Sequence, residues 1–138
     1  MTDIEEIAGR MLHWSRGIAQ GPINLQINPT DRCNLKCIFC WQRDESKVNY
    51  GNQITDERYF SLTDEAHSIG IKSIQITGGG EPLCRKELVM NMIKRIKEAG
   101  ISGSMITNGT LLLKKDIISM IKSRWDEVII SVDGLSEN

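Results

Sequence analysis

Ser73-Ile74-Gln75-Ile76-Thr77-Gly78-Gly79-Gly80-Glu81-Pro82 is the stretch that decides the fold. Isoleucine alternates with polar residues through Thr77, the period of a strand. Three glycines then turn the chain, and Pro82 suits the entry to a helix. Leu88, Met92, Ile93, Ile96 and Ala99 repeat at helical spacing, and Gly100 closes that helix. Strand, tight turn and helix together make one βα unit, and the same order recurs on both sides. Ile23, Leu25 and Ile27 alternate with Asn24, Gln26 and Asn28 as a first strand, and a helix runs from near Thr55 or Asp56 to Gly70. A third strand spans Ser102–Thr107, a short helix lies around Asp116–Ser123, and a fourth strand covers roughly Glu127–Val132. An amphipathic helix bearing Ile4, Ile7, Ala8, Met11, Leu12 and Ile18 comes first, with Thr2 and Glu5 as its capping box and Gly21-Pro22 as its end.

Strands alternating with helices imply right-handed crossovers and a parallel sheet. The expected class is therefore α/β: a partial (β/α) TIM-like barrel of about four parallel βα units, preceded by an N-terminal helix. Residues 1–21 read as a helical preamble and 22–138 as the core. A full barrel takes eight units and roughly 250 residues, so the core is expected to be incomplete at its C-terminus.

Composition narrows the function classes. The chain has 138 residues and a formal net charge of −1, without the basic footprint of a DNA- or RNA-binding protein. Its apolar runs are too short to span a bilayer. Asp3, Glu5 and Glu6 at the start do not make a signal peptide, so a cytoplasmic protein without a membrane partner is expected. In that compartment clustered cysteines point to metal binding or redox chemistry more than to disulfides. The glycine turn completes neither G-x-G-x-x-G nor a P-loop.

The cluster is Cys33-x3-Cys37-x2-Cys40, on the loop after the first strand. Three thiolates leave a metal centre one ligand short. In a cubane iron–sulfur cluster one iron is then open, whereas a structural zinc site is closed by four ligands. Zinc with a fourth ligand from Cys84, His13 or His67 is one alternative, and free thiols are another; Cys84 is expected to be a small buried residue. Gly78–Pro82 is a tight turn whose glycines let a ligand approach the backbone, and Glu81 adds an acceptor for a ligand ammonium. Phe39, between two cysteines, is a core aromatic or a ring that flanks a planar ligand, and Trp41 shares that ambiguity. Thr107-Asn108-Gly109, Ser131 and Asp133 are either turn chemistry or polar contacts at the next two strand ends. Every one of these groups follows a strand, and ligand sites of parallel α/β folds lie at the carboxyl ends of strands.

These motifs together resemble the radical SAM superfamily from about Ile23 onward. The run Pro29-Thr30-Asp31-Arg32, with Thr107-Asn108-Gly109 and Ser131-Val132-Asp133-Gly134, looks most like the branch of molybdenum-cofactor cyclases and peptide-modifying SPASM enzymes. The resemblance implies a [4Fe–4S] cluster on Cys33, Cys37 and Cys40, with S-adenosylmethionine on the fourth iron. It implies Gly79, Gly80 and Glu81 near the methionyl ammonium, Phe39 near the adenine, and Thr107, Ser131 and Asp133 around the ribose and methionyl parts. One electron, from a reduced flavodoxin- or ferredoxin-type donor, would cleave the cofactor to a 5′-deoxyadenosyl radical that abstracts hydrogen from a peptide or small-molecule substrate. The strand Ser73–Thr77 departs from the cyclases in lacking the arginine they place nearby. A zinc-stabilised module and an inactive half-barrel are the alternatives. Anaerobic reconstitution should give a brown protein with about four irons per chain. Iron should be lost in Cys37→Ala and kept in Cys84→Ala; a colourless protein holding one zinc would sink the cluster reading.

Overall fold

The computed structural model describes residues 4–43 and 53–134. Thr2, of the expected capping box, lies outside them. In chain order the elements are α1 (Ile4–Ser15), β1 (Asn24–Ile27), α2 (Asp56–Ser68), β2 (Ser73–Ile76), α3 (Lys86–Glu98), β3 (Ser102–Thr107), α4 (Lys114–Lys122) and β4 (Glu127–Ile130). The four strands form one sheet in the order β1-β2-β3-β4, every neighbouring pair parallel. These are the four parallel strands expected, three of them followed by a helix among the described residues, with β4 ending two residues before the expected Val132.

Local signals set the element ends. Thr55 caps α2, its hydroxyl accepting the Arg58 N–H at 3.3 Å. Gly70 and Gly100 follow α2 and α3 with φ of 77° and 71°, a conformation that favours glycine. The Ile101 N–H then reaches back to the Ile96 carbonyl at 3.1 Å, which aims the chain directly into β3.

The strand register sorts the sheet into two unlike faces. Ile74, Ile76 and Met105 point to one side and pack against Leu88, Val89, Met92, Ile93 and Ile96 of α3, all nearly or wholly removed from solvent. Each such side chain contributes about 1.5–3 kcal/mol by leaving water. On the other side a row of partners runs Gln26, Gln75, Ser104 and Glu127 across the four strands. The Gln75 Nε2 donates to Ser104 Oγ at 3.4 Å. Among the described residues, the core lies on the apolar face alone.

Polar anchors hold the periphery. Arg10 of α1 is buried, bonding Glu6 at 2.8 Å and the carbonyls of Gly21 at 2.9 Å, Pro22 at 3.1 Å and Gly70 at 2.6 Å. It fastens α1 beneath the starts of β1 and β2, at the end of the sheet opposite the cysteine loop. Lys86 of α3 bonds Asp116 at 2.7 Å and the Leu111 carbonyl at 2.6 Å, and Asp116 also accepts the Leu113 N–H at 2.9 Å. Desolvation pushes the Asp116 carboxyl up, but Lys86 and the Leu113 N–H outweigh it and hold the group below its ordinary value. A depressed native value stabilises the fold above the unfolded-chain value of about 3.9 and ceases to do so as pH falls through the native value. Asp116→Asn should therefore lower the urea midpoint at neutral pH and flatten its fall in the acid limb, below about pH 4.

Candidate active site

Three strand ends meet above the sheet. The cysteine loop leaves β1 through Asn28, Pro29 and Thr30, a segment braced from below. Tyr59 of α2 donates its hydroxyl to the Asn28 carbonyl at 2.6 Å, and Arg85 donates to the Pro29 carbonyl at 2.8 Å while pairing with Asp56. The guanidinium of Arg85 also stands 5.3 Å from the Tyr59 ring centre.

The glycine turn after β2 closes against this loop. The Gly80 N–H donates to the Thr30 carbonyl at 3.0 Å, and the Glu81 N–H to the Arg32 carbonyl at 2.9 Å. A Cβ on residue 80 would lie 2.1 Å from the Arg32 carbonyl oxygen, and one on residue 79 would lie 2.6 Å from both Asp31 Oδ1 and Gln42 Nε2. The glycines are thus required by the contact between the two loops, as well as by whatever approaches the turn. Sequence reasoning supplied only the second motive.

Glu81 is 2% exposed. One of its oxygens accepts the Leu83 N–H at 3.0 Å and the Thr107 hydroxyl at 2.6 Å; the other accepts the Asn108 N–H at 2.8 Å. The carboxylate thereby joins the glycine turn to the end of β3. Asn108 extends the connection, donating to Asn34 Oδ1 at 3.0 Å, while Asn34 donates to Thr110 Oγ1 at 2.8 Å. Asn34, Asn108 and Thr110 hold the cysteine loop to the β3 end, and of these the sequence reading singles out only Asn108, as turn chemistry or a polar strand-end contact.

The thiols of Cys33, Cys37 and Cys40 are free, with Cys33 exposed and the other two half-buried. The Cys40 N–H bonds the Cys37 carbonyl at 3.1 Å, and the Leu35 N–H faces Cys33 Sγ at 3.4 Å. No three His, Cys, Asp or Glu side chains among the described residues converge on a single-ion position. Phe39 and Trp41 are 65% and 68% exposed on the same loop, open to a ligand ring. Ser131 continues the β4 ladder, its N–H donating to the Thr107 carbonyl at 2.9 Å, whereas Asp133 is exposed beyond it. The structure thus gathers the cysteine loop, Gly79, Gly80, Glu81 and Thr107 at one place, with Ser131 alongside.

Cys84 departs from expectation: it is exposed, not buried. It sits in the 3-10 turn Pro82–Arg85, where Pro82 and Leu83 take the core-facing positions and leave Cys84 toward the cysteine loop. Local desolvation, then the nearby Cys33 and Glu81, push its thiol up. His13 and His67 lie exposed on α1 and α2.

A parallel α/β sheet with a three-thiol loop locked to a glycine turn at its strand ends defines a cofactor-binding (β/α) protein. Comparison with known proteins gives the family: residues 27–138 match the model of the radical SAM superfamily, and the chain belongs to it. It is 33% identical over 114 residues to the GTP 3′,8-cyclase of Clostridium acetobutylicum, covering 83% of this chain and 36% of that one. The GTP 3′,8-cyclase of Desulforamulus reducens is 34% identical over 114 residues, covering 81% and 34%. The chain therefore spans about a third of the length of these relatives. Among solved structures, S-adenosylmethionine-bound SuiB of Streptococcus suis superposes with a TM-score of 0.70 at 23% identity, covering 94% of this chain and 31% of SuiB. The AdoMet-bound enzyme anSMEcpe gives 0.68 at 25% identity, covering 84% and 34%.

Glu81→Gln replaces one acceptor oxygen by a donor, so Asn108 or the Leu83–Thr107 pair loses its partner. The expected cost is about 1–3 kcal/mol in urea unfolding. An unchanged midpoint would show that the carboxylate does not hold the two strand ends together.

Proposed function

We propose that this chain is the part of a radical SAM enzyme that binds a [4Fe–4S] cluster on Cys33, Cys37 and Cys40 and S-adenosylmethionine beside it. The observation that carries this reading is the locking of the cysteine loop to the glycine turn through Thr30, Arg32, Gly80 and Glu81. The residues present fit the groups. Three free thiols on one loop are a donor set for a cluster with an open iron, and glycine at 79 and 80 lets the turn close directly against that loop. When bound, the cluster and S-adenosylmethionine supply one-electron cleavage that yields methionine and a 5′-deoxyadenosyl radical for hydrogen abstraction.

The chain's own residues supply position. Gly79 and Gly80 offer backbone groups to a ligand ammonium, with Glu81 fixing their turn. Phe39 offers an open ring face to adenine, and Thr107, Ser131 and Asp133 border the ribose and methionyl portions. An electron donor of the flavodoxin or ferredoxin type is the proposed redox partner, and the cytoplasm the proposed compartment; no described helix is long and apolar enough to cross a membrane.

For substrate we favour a peptide or other small molecule over a nucleoside triphosphate. The similarity to GTP 3′,8-cyclases supports the latter. The sheet face below the site supports the former, since among the described residues it is built from Asn24, Gln26, Ser73, Gln75, Ser102, Ser104, Ile106, Glu127 and Ile129, a surface of amides, hydroxyls, aliphatic groups and one carboxylate. Reconstituted protein with dithionite and S-adenosylmethionine should release 5′-deoxyadenosine and methionine in equal amounts, and GTP should not accelerate it. A loaded cluster with no 5′-deoxyadenosine would favour an inactive half-barrel, and acceleration by GTP would restore the cyclase reading.

A further inference from the structure

The side chain of Asn108 is one of three that close a ring of hydrogen bonds beside Cys33. Asn108 Nδ2 donates to Asn34 Oδ1 at 3.0 Å, Asn34 Nδ2 donates to Thr110 Oγ1 at 2.8 Å, and the Thr110 hydroxyl donates back to Asn108 Oδ1 at 2.6 Å. The Thr110 N–H adds a second bond to the same oxygen at 3.0 Å. A backbone N–H only donates, so the amide atom it meets is the oxygen, and the nitrogen stands on the other side. The ring therefore fixes which way the amide faces as well as where it sits.

A primary amide nitrogen carries two N–H donors, and Asn34 takes one of them. Asn108 Nδ2 also stands 4.0 Å from Cys33 Sγ, so the other faces that sulfur. The Leu35 N–H approaches the same sulfur at 3.4 Å from within the cysteine loop. Two N–H dipoles thus meet at Cys33, one local and one brought from the end of β3. A neutral thiol accepts such donors weakly. The thiolate that ligates a metal accepts them as charge-assisted bonds, which are shorter and roughly twice as strong. Hydrogen bonds to the sulfurs are among the terms that set the potential of an iron–sulfur cluster. The added electron makes those sulfurs more negative, so an N–H aimed at one of them favours the reduced form.

We propose that Asn108 is a positioning residue for cluster reduction: its amide, oriented by Thr110 and Asn34, donates to the Cys33 sulfur and raises the cluster's reduction potential. The assignment rests on the reading of Cys33, Cys37 and Cys40 as ligands of a [4Fe–4S] cluster. It adds to that reading a side chain that makes the cluster easier for a one-electron donor to reduce. The main-chain N–H of Asn108 is held separately by Glu81, so a change of side chain leaves that link in place.

The test is an anaerobic redox titration of the reconstituted full chain, read by electron paramagnetic resonance of the reduced cluster. Asn108→Leu keeps the bulk of the side chain, keeps water out of the gap and removes the donor. At a fixed applied potential its ratio of reduced to oxidised cluster should fall about tenfold, a downward shift of about 59 mV for a one-electron couple. Thr110→Val removes the hydroxyl that orients the amide and should shift the potential the same way by less, while Thr110→Ser should hold the parent value. Asn34→Ala unties the cysteine loop from the β3 end but leaves Asn108 Oδ1 anchored by Thr110, so its potential should also hold. An unchanged potential in Asn108→Leu overturns the assignment. So does an equal fall in Asn34→Ala, which would make attachment of the loop, and not the N–H donor, the cause. Should Asn108→Leu retain no cluster, the Thr110 pair decides, and equal potentials in the valine and serine variants overturn the assignment. If the unsubstituted protein takes up no four-iron cluster, the parent reading fails, and the assignment with it.

Discussion

The buried carboxylate of Glu81 is the constraint on which the site depends. It accepts three hydrogen bonds from two different strand ends, two of them from Thr107 and Asn108 at the end of β3 and one from Leu83 in its own turn. Bonds to an ionised acceptor are roughly twice as strong as neutral ones, and away from water they are not diluted by competition. Because Glu81 also donates its N–H to Arg32, the same residue ties the cysteine loop to both. Without it, β1, β2 and β3 would still pair, but their loops would keep only the Gly80–Thr30 contact and the Asn34, Asn108 and Thr110 links.

That arrangement explains a division of labour between the two halves of each βα unit. The helices supply the apolar core, with α3 packed across Ile74, Ile76 and Met105. The loops supply polar contacts almost exclusively, and a second set of side chains steadies them from the helical layer: Tyr59 and Arg85 on the carbonyls of Asn28 and Pro29. Such supporting groups determine how rigidly a cofactor loop is held before anything binds. The three thiols themselves form no disulfide, as the proposed cluster ligation requires.

The sheet's uncovered face bears on specificity. Parallel sheets are ordinarily covered on both sides. Among the described residues one side is apolar and covered, and the other carries Gln26, Gln75, Ser104 and Glu127 with Ile106 beside Ile129. The strand-end loops and the sheet faces are separate parts of the unit, so likeness in the first does not fix the second.

Much of this was legible in the residues alone. Alternation in Ser73–Thr77, the helical spacing of Leu88–Ala99 and the cysteine spacing each depend on neighbours a few positions apart, and local physics decides them. Thr55 and Gly100 marked helix ends for the same reason. Tertiary structure decided what depends on residues far apart in the chain. The exposure of Cys84 follows from Pro82 and Leu83 winning the core positions of a short turn. The double engagement of Glu81 needed the β3 end 26 residues on, and the link from Asn34 to Asn108 spans 74. Gln42 gave no sequence signal at all, because its burial, with the amide unpaired among the described residues, is decided by the glycine turn and loop that the fold packs around it.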